Sequence, residues 1–236
     1  MARARPVLDR HWHGKKGNVM KITWIVVLVL MLATGLAASA AAVFESGTRI
    51  PTMYFVTTGT GESDEGIPPD PYETFSYDLA LQQAGIENFN VVYYTSVLPL
   101  ESHEVPLTEA LKKQFHHGAA LETIMAKAGG LKGDTIAVGI GRVWALDAGG
   151  KKIGGFAAEY EYVYQGKKID QETARKAAIA QLTKSLDHEL SIRDLTQDGE
   201  KKFAVTSLYI QKNYGMALAA IGFLNYLYPQ PVPTVE

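Results

Sequence analysis

Residues Asn88 to Glu101, NFNVVYYTSVLPLE, limit the ways the chain can fold. The stretch opens with β-branched and aromatic residues, the composition of a strand. It closes on a Leu98-Pro99 corner, where proline has no N–H for a ladder. Over 88–96 side chains alternate between two faces: Asn90, Val92, Tyr94 and Ser96 on one, Phe89, Val91, Tyr93 and Thr95 on the other. The hydroxyl pair Thr95-Ser96 stands just before the corner. Taken alone, such a pair is a satisfied polar edge.

The flanking segments read as a mixture of strands and helices. Met53–Thr58 is a first strand. The run TTGTGES (57–63) has the glycines of a phosphate loop but lacks the Gly-Lys-Ser/Thr ending and the following helix, so that reading is excluded. Gly, Asp and Pro predict a loop over 59–70. Asp70-Pro71 predicts a helix start, with Gly85 as its stop after Ala84. On that helix Phe75, Leu79 and Gln82-Gln83 share a side, with Asp78 beside them. Residues 106–128 read as helix by propensity, interrupted by Gly118 and Gly129-Gly130. Thr135–Leu146 and Ile153–Tyr164 are strand-like, joined through the turn residues 147–150. In the second, Phe156, Ala158, Tyr160, Tyr162 and Tyr164 line one face and Glu159, Glu161 and Val163 the other. Ile169–Leu190 is the clearest helix, with Ala174, Ala178, Leu182 and Leu186 at i+4 spacing. Phe203–Gln211 alternates as a strand. In Tyr214–Tyr226 helix and strand compete, and the proline-rich tail from Pro229 is expected to be loose. Many strands with two or three covering helices give the α+β class.

Composition excludes several functions. The chain has no cysteine, so disulfides, thiolate nucleophiles and Cys-metal sites are ruled out. Arg3, Arg5, Arg10, Lys15, Lys16 and Lys21 precede an apolar run, Ile22–Leu36, and then Ala38-Ser39-Ala40. This is the pattern of a signal peptide over 1–40, cut before Ala41, with Met1 or Met20 as the start. The rival reading is a retained anchor, since Ile22–Val43 is long enough to span a bilayer. Export to the periplasm is the expectation; contact with a membrane follows only if the leader stays. With the six basic residues and one aspartate of 1–40 set aside from 23 and 25, 17 basic and 24 acidic residues remain, a formal charge of −7. That balance argues against nucleic acid as a partner. His116-His117 point apart and no third ligand lies at metal spacing, so no metal is expected.

Six segments together are similar to the pyruvoyl-dependent arginine decarboxylases: GTRIPT (47–52), GTGESDEGIPPDPYETFSYDLAL (59–81), AGIENFNVVYYTSVLP (84–99), HGAALETIMA (117–126), GIGRVW (139–144) and GGFAAEYEY (154–162). The resemblance runs from about Gly47 to about Leu227. It implies a strand at 118–127, with the helix kept only for about 108–115, a strand at 214–226, a four-layer αββα sandwich, and a homotrimer of αβ units or a pair of trimers. It also implies self-cleavage between Thr95 and Ser96: the serine hydroxyl attacks the Thr95 carbonyl, the ester eliminates, and the dehydroalanine hydrolyses to a pyruvoyl group and ammonia. A β chain (41–95) and an α chain (96–236) result. The implied cofactor is this pyruvoyl group from Ser96, with no PLP and no metal, and the implied partner is a small-molecule substrate, a cationic amino acid. In that scheme L-arginine forms a Schiff base and loses CO2 to give agmatine. Asp78 receives the guanidinium, a bidentate pairing suited to a carboxylate. Glu159 protonates the α-carbon, which needs a carboxyl partly withdrawn from water. Asn90 orients substrate or cofactor. Six residues of strand span roughly 20 Å, so Asn90 is placed to serve the Ser96 of a neighbouring subunit. Two alternatives stand: a pyruvoyl decarboxylase for another amino acid, or an exported, non-catalytic binding protein on the same scaffold.

Overall fold

A computed structural model describes residues 48–229. Its strands are β1 (Ile50–Ser63), β2 (Asn90–Tyr93), β3 (Val97–Leu98), β4 (His103–Glu104), β5 (Ala120–Leu131), β6 (Thr135–Leu146), β7 (Lys152–Tyr164), β8 (Thr196–Tyr209) and β9 (Tyr214–Leu227). Its helices are α1 (Ser76–Ala84), the single turn α2 (Glu109–Lys112) and α3 (Gln171–Ser191). The result is a mixed α+β structure, mostly sheet.

The strands form two sheets, ordered β2-β5-β9-β1-β4 and β3-β7-β6-β8. Small and apolar residues make β9 the centre of the first: it pairs antiparallel with β1 on one side and β5 on the other. One cluster joins residues of both sheets, with Tyr54, Ile124, Ile221 and Phe223 from the first and Ile136, Val138, Ile140 and Ala157 from the second. A second cluster sets Tyr77, Ala80, Leu81 and Ala84 of α1 against Phe55, Met125 and Leu218. A third sets Leu182, Leu186 and Leu190 of α3 against Val143, Phe156 and Ala158. Each buried leucine of that stripe contributes about 1.5–3 kcal/mol. Asp170 caps α3: its carboxylate accepts from Thr173 N–H at 2.9 Å and from the Thr173 hydroxyl at 2.7 Å.

The structure corrects several local expectations. The glycines of 57–63 lie inside β1, which runs on to Ser63, so a loop begins only after it. A side chain at Gly59 would strike the Ala80 carbonyl oxygen, and one at Gly61 that of Ser76. These glycines let α1 lie directly on the strand. Asp70 does not cap α1. Its carboxylate accepts from Tyr72 N–H at 3.1 Å in a preceding turn, and the helix starts at Ser76. Gly85 does end it, at φ 74°, with Ile86 N–H donating to Leu81 C=O at 3.0 Å. Asp78, Leu79, Gln82 and Gln83 form its exposed side. Gly129-Gly130 do not interrupt β5. The expected strand 88–96 is not one strand: β2 ends at Tyr93 and β3 begins at Val97 in the other sheet. The leader and residues 230–236 of the tail lie outside the described residues. Among the described residues no helix is long and apolar enough to cross a membrane.

Candidate active site

The crossing between the sheets falls at Thr95-Ser96. Tyr94 N–H donates to Thr123 C=O of β5 at 2.7 Å, the last main-chain bond to the first sheet. Ala157 N–H of β7 donates to Ser96 C=O at 2.8 Å, the first bond to the second sheet. Between them, the peptide joining Thr95 to Ser96 makes no main-chain hydrogen bond among the described residues. Ser96 is half-buried and Thr95 exposed. A scissile peptide must leave planarity as its carbonyl is attacked, which a ladder bond would resist. The Thr95–Ser96 peptide is therefore free of the ladder that would oppose such an attack.

Glu159 lies two residues beyond Ala157 on β7, about 7 Å along the strand and on the same face. That face looks toward the first sheet, since Ala157 is in the core between the sheets and the Glu161 carboxylate accepts from Lys127 N–H of β5 at 2.7 Å. Glu159 thus stands in the fork where the chain leaves one sheet for the other. Although the residue is exposed overall, withdrawal of its carboxyl from water pushes the pKa above the usual carboxylate range. A bond from its own backbone N–H opposes this, and the charges of Glu161 and Glu189 add to it.

Asn90 and Asp78 are placed elsewhere. Asn90 opens the edge strand β2, exposed, and its Nδ2 donates to Gly118 C=O at 2.8 Å. Gly118 N–H in turn donates to Asn88 C=O at 2.8 Å, so the amide is tied to the backbone beside it. Asp78 is exposed in the first turn of α1. Within the subunit, no hydrogen bond or ion pair joins Asp78, Asn90, Ser96 and Glu159 to one another among the described residues.

Three neighbours of the crossing escaped sequence reasoning. Glu122 of β5 is buried and ion-paired with Arg49, whose guanidinium lies 5.4 Å from the centre of the Tyr226 ring. The Tyr77 and Tyr93 hydroxyls converge on Met125 Sδ at 3.9 and 3.8 Å, with Lys127 Nζ 4.6 Å from the Tyr77 ring centre. Glu161 repeats the carboxylate of Glu159 at the i+2 spacing of one strand face, and the word EYE was the only available signal. His117 Nδ1 lies 3.1 Å from Asn88 Oδ1, and among the described residues no group of three or more His, Asp or Glu is placed to hold a metal.

The site thus sets a serine at the crossing between two sheets near a glutamate whose pKa is raised by withdrawal from water. Comparison with known proteins fixes the family: the model for pyruvoyl-dependent arginine decarboxylases matches residues 53–227, and the chain belongs to that family. Among its relatives, a Chlamydia caviae protein named pyruvoyl-dependent arginine decarboxylase AaxB is 48% identical over 185 residues, 76% of this chain and 94% of the relative. The Chlamydia pneumoniae protein of the same name is 47% identical over 190 residues, 78% of this chain and 96% of the relative. An Archaeoglobus fulgidus protein, pyruvoyl-dependent arginine decarboxylase 2, is 29% identical over 177 residues, 74% of this chain and 98% of the relative.

Proposed function

We propose that this chain converts L-arginine to agmatine and CO2 with a pyruvoyl group made from its own Ser96. The observation that carries the reading is the unladdered Thr95–Ser96 peptide at the crossing, next to Glu159. Ser96 Oγ attacks the Thr95 carbonyl carbon and the amide becomes an ester, whose elimination and hydrolysis release ammonia. Once formed, the pyruvoyl group supplies an electron sink for decarboxylation. The chain's residues do the rest. Glu159, kept protonated at higher pH than an ordinary glutamate, gives its proton to the α-carbon. Asp78 holds the guanidinium, and Asn90 orients the reacting groups through the carbonyl of its amide.

These groups are separated in one subunit, which supports a site completed between subunits. Asn90 stays with the first sheet, its amide tied to Gly118 C=O, while Ser96 C=O is bonded to β7 of the second. Exposed apolar residues lie along the stretch between them and just past it: Val92 is 42%, Tyr93 51%, Val97 55% and Leu100 43% exposed. Exposed apolar residues gathered in one stretch are expected to be covered. We assign this stretch to contacts in a homotrimer of αβ units, single or paired, built on a four-layer αββα sandwich. The helix on each sheet and the shared core between sheets support that layering. We assign residues 1–40 to a leader for export to the periplasm, where a cofactor made from the chain needs no import.

Intact mass under denaturing conditions tests the central claim. Two fragments meeting at 95/96 are expected, the larger with a ketone in place of its amine, and Ser96→Ala should stay whole and release no CO2. A single uncut polypeptide that still decarboxylates arginine would overturn it. Parallel assays with arginine, lysine and ornithine separate the substrates.

A further inference from the structure

Resting on the reading of Glu159 as the proton donor, we propose that Glu161 is a positioning residue for it: clamped across the gap between the sheets, Glu161 holds a fixed charge beside the Glu159 carboxyl.

The clamp follows from the crossing. Because β2 ends at Tyr93, β5 has no strand partner on that side beyond Thr123. Lys127 N–H points to that open side, and the Glu161 carboxylate accepts from it at 2.7 Å. Glu161 therefore satisfies an edge amide, which by itself is a structural task. The same bond fixes where its charge sits. Glu159 and Glu161 are two apart on one strand, hence on one face and about 7 Å apart at the backbone. A second anion there disfavours ionisation of the first.

Among the other charged groups around Glu159, Glu189 adds a smaller push of the same sign, and the rest are engaged or turned away. On α3, Glu189 is paired with Arg193 at 2.6 Å. On β6, Arg142 is opposite Ala157 and is paired with Glu104 at 2.7 Å. On β5, the Lys127 ammonium turns to the Tyr77 ring on the opposite face of its sheet. β3 carries only Val97 and Leu98.

The amide of Glu161→Gln keeps an acceptor for Lys127 N–H and loses only the charge, so it separates the two tasks. In the uncut Ser96→Ala protein, the 13C carboxyl signal of Glu159 is titrated with and without Glu161→Gln. Its midpoint is expected to move to lower pH. In the processed enzyme, the basic limb of kcat should move the same way, with kcat on that limb falling about tenfold, the order expected for removing one partly exposed charge at this distance. Thermal stability should be little changed, whereas Glu161→Leu, which also frees the amide, should lower it. An unmoved Glu159 midpoint in Glu161→Gln overturns the inference while leaving the acid assignment standing, provided Glu159→Gln has lost CO2 release. Full activity in Glu159→Gln removes the acid assignment, and the inference with it.

Discussion

Glu159 holds its proton more tightly in the folded chain than it would in an unfolded one, because folding withdraws its carboxyl from water and sets acidic neighbours beside it. A raised carboxyl has a defined effect on stability. Below the unfolded value, about 4.3, both states are protonated and the site costs nothing. As pH rises through the unfolded and then the folded value, the native state is penalised, and the penalty persists above both. Glu159→Gln should therefore melt with the parent near pH 4 and above the parent at pH 7 and beyond, by scanning calorimetry. Its kcat should fall by about 10²–10⁴, the usual worth of a general acid, while cleavage at 95/96 proceeds. Glu122 makes a different case, because it is buried and carries its ion pair inside. Arg49→Ala would leave that carboxylate without its partner, at a cost of about 3 kcal/mol, the low end of the range for such losses because Arg49 is itself 49% exposed. Adding Glu122→Gln should recover most of the lost melting temperature. The resemblance singled out Glu159 as a candidate, but nothing in the sequence singled out Glu122: its neighbours Leu121 and Thr123 mark it only as a strand residue, and Arg49 is 73 residues away in sequence.

At the scale of elements, what could be read depended on whether the pattern was local. The stripe of α3 repeats every four residues because one face of a helix meets one sheet, and Ala174, Ala178, Leu182 and Leu186 are all buried as that period requires. The glycines of β1 were open to misreading, because Gly59 and Gly61 look like loop residues until α1 is placed on them. Their task is steric, so Gly59→Ala should force α1 off the strand. The obstacle is the Ala80 backbone rather than a flexible side chain, so a loss of about 1–3 kcal/mol from overpacking is expected in urea unfolding. Gly118→Ala, at a turn where a side chain meets nothing within 4 Å but φ is +78°, should cost less, about 1 kcal/mol of backbone strain. The break between β2 and β3 was beyond local pattern altogether. Val91 to Leu98 is one run of residues that favour strands, and only the partners, β5 for one half and β7 for the other, decide where the chain changes sheet.

For the whole molecule, the position of the crossing decides what a cut there can do. Residues before Ser96 supply β1, α1 and β2; those after it supply every other described element. The two pieces are interleaved rather than set side by side. β1 lies between β9 and β4, both from the later piece, and β2 is hydrogen-bonded to β5. The thirteen residue pairs of β1 with β9 run from Ile50 to Ser63, so parting the pieces would dismantle the first sheet. The Thr95–Ser96 peptide, in contrast, carries no ladder bond among the described residues. Cleavage should therefore change connectivity without changing the fold. The cut protein is expected to run as one species in size exclusion and as two bands only after denaturation. Its melting temperature should match that of Ser96→Ala within a few degrees, since a difference of 1 kcal/mol moves a domain of this size by about 2–4 °C. Moving the cut into a strand gives the control: a protease site engineered within β9 should release heat stability along with the fragment. If a form cut at the proposed bond instead melts far below Ser96→Ala, or sheds its first piece on a column, the crossing bears load that its free peptide does not show.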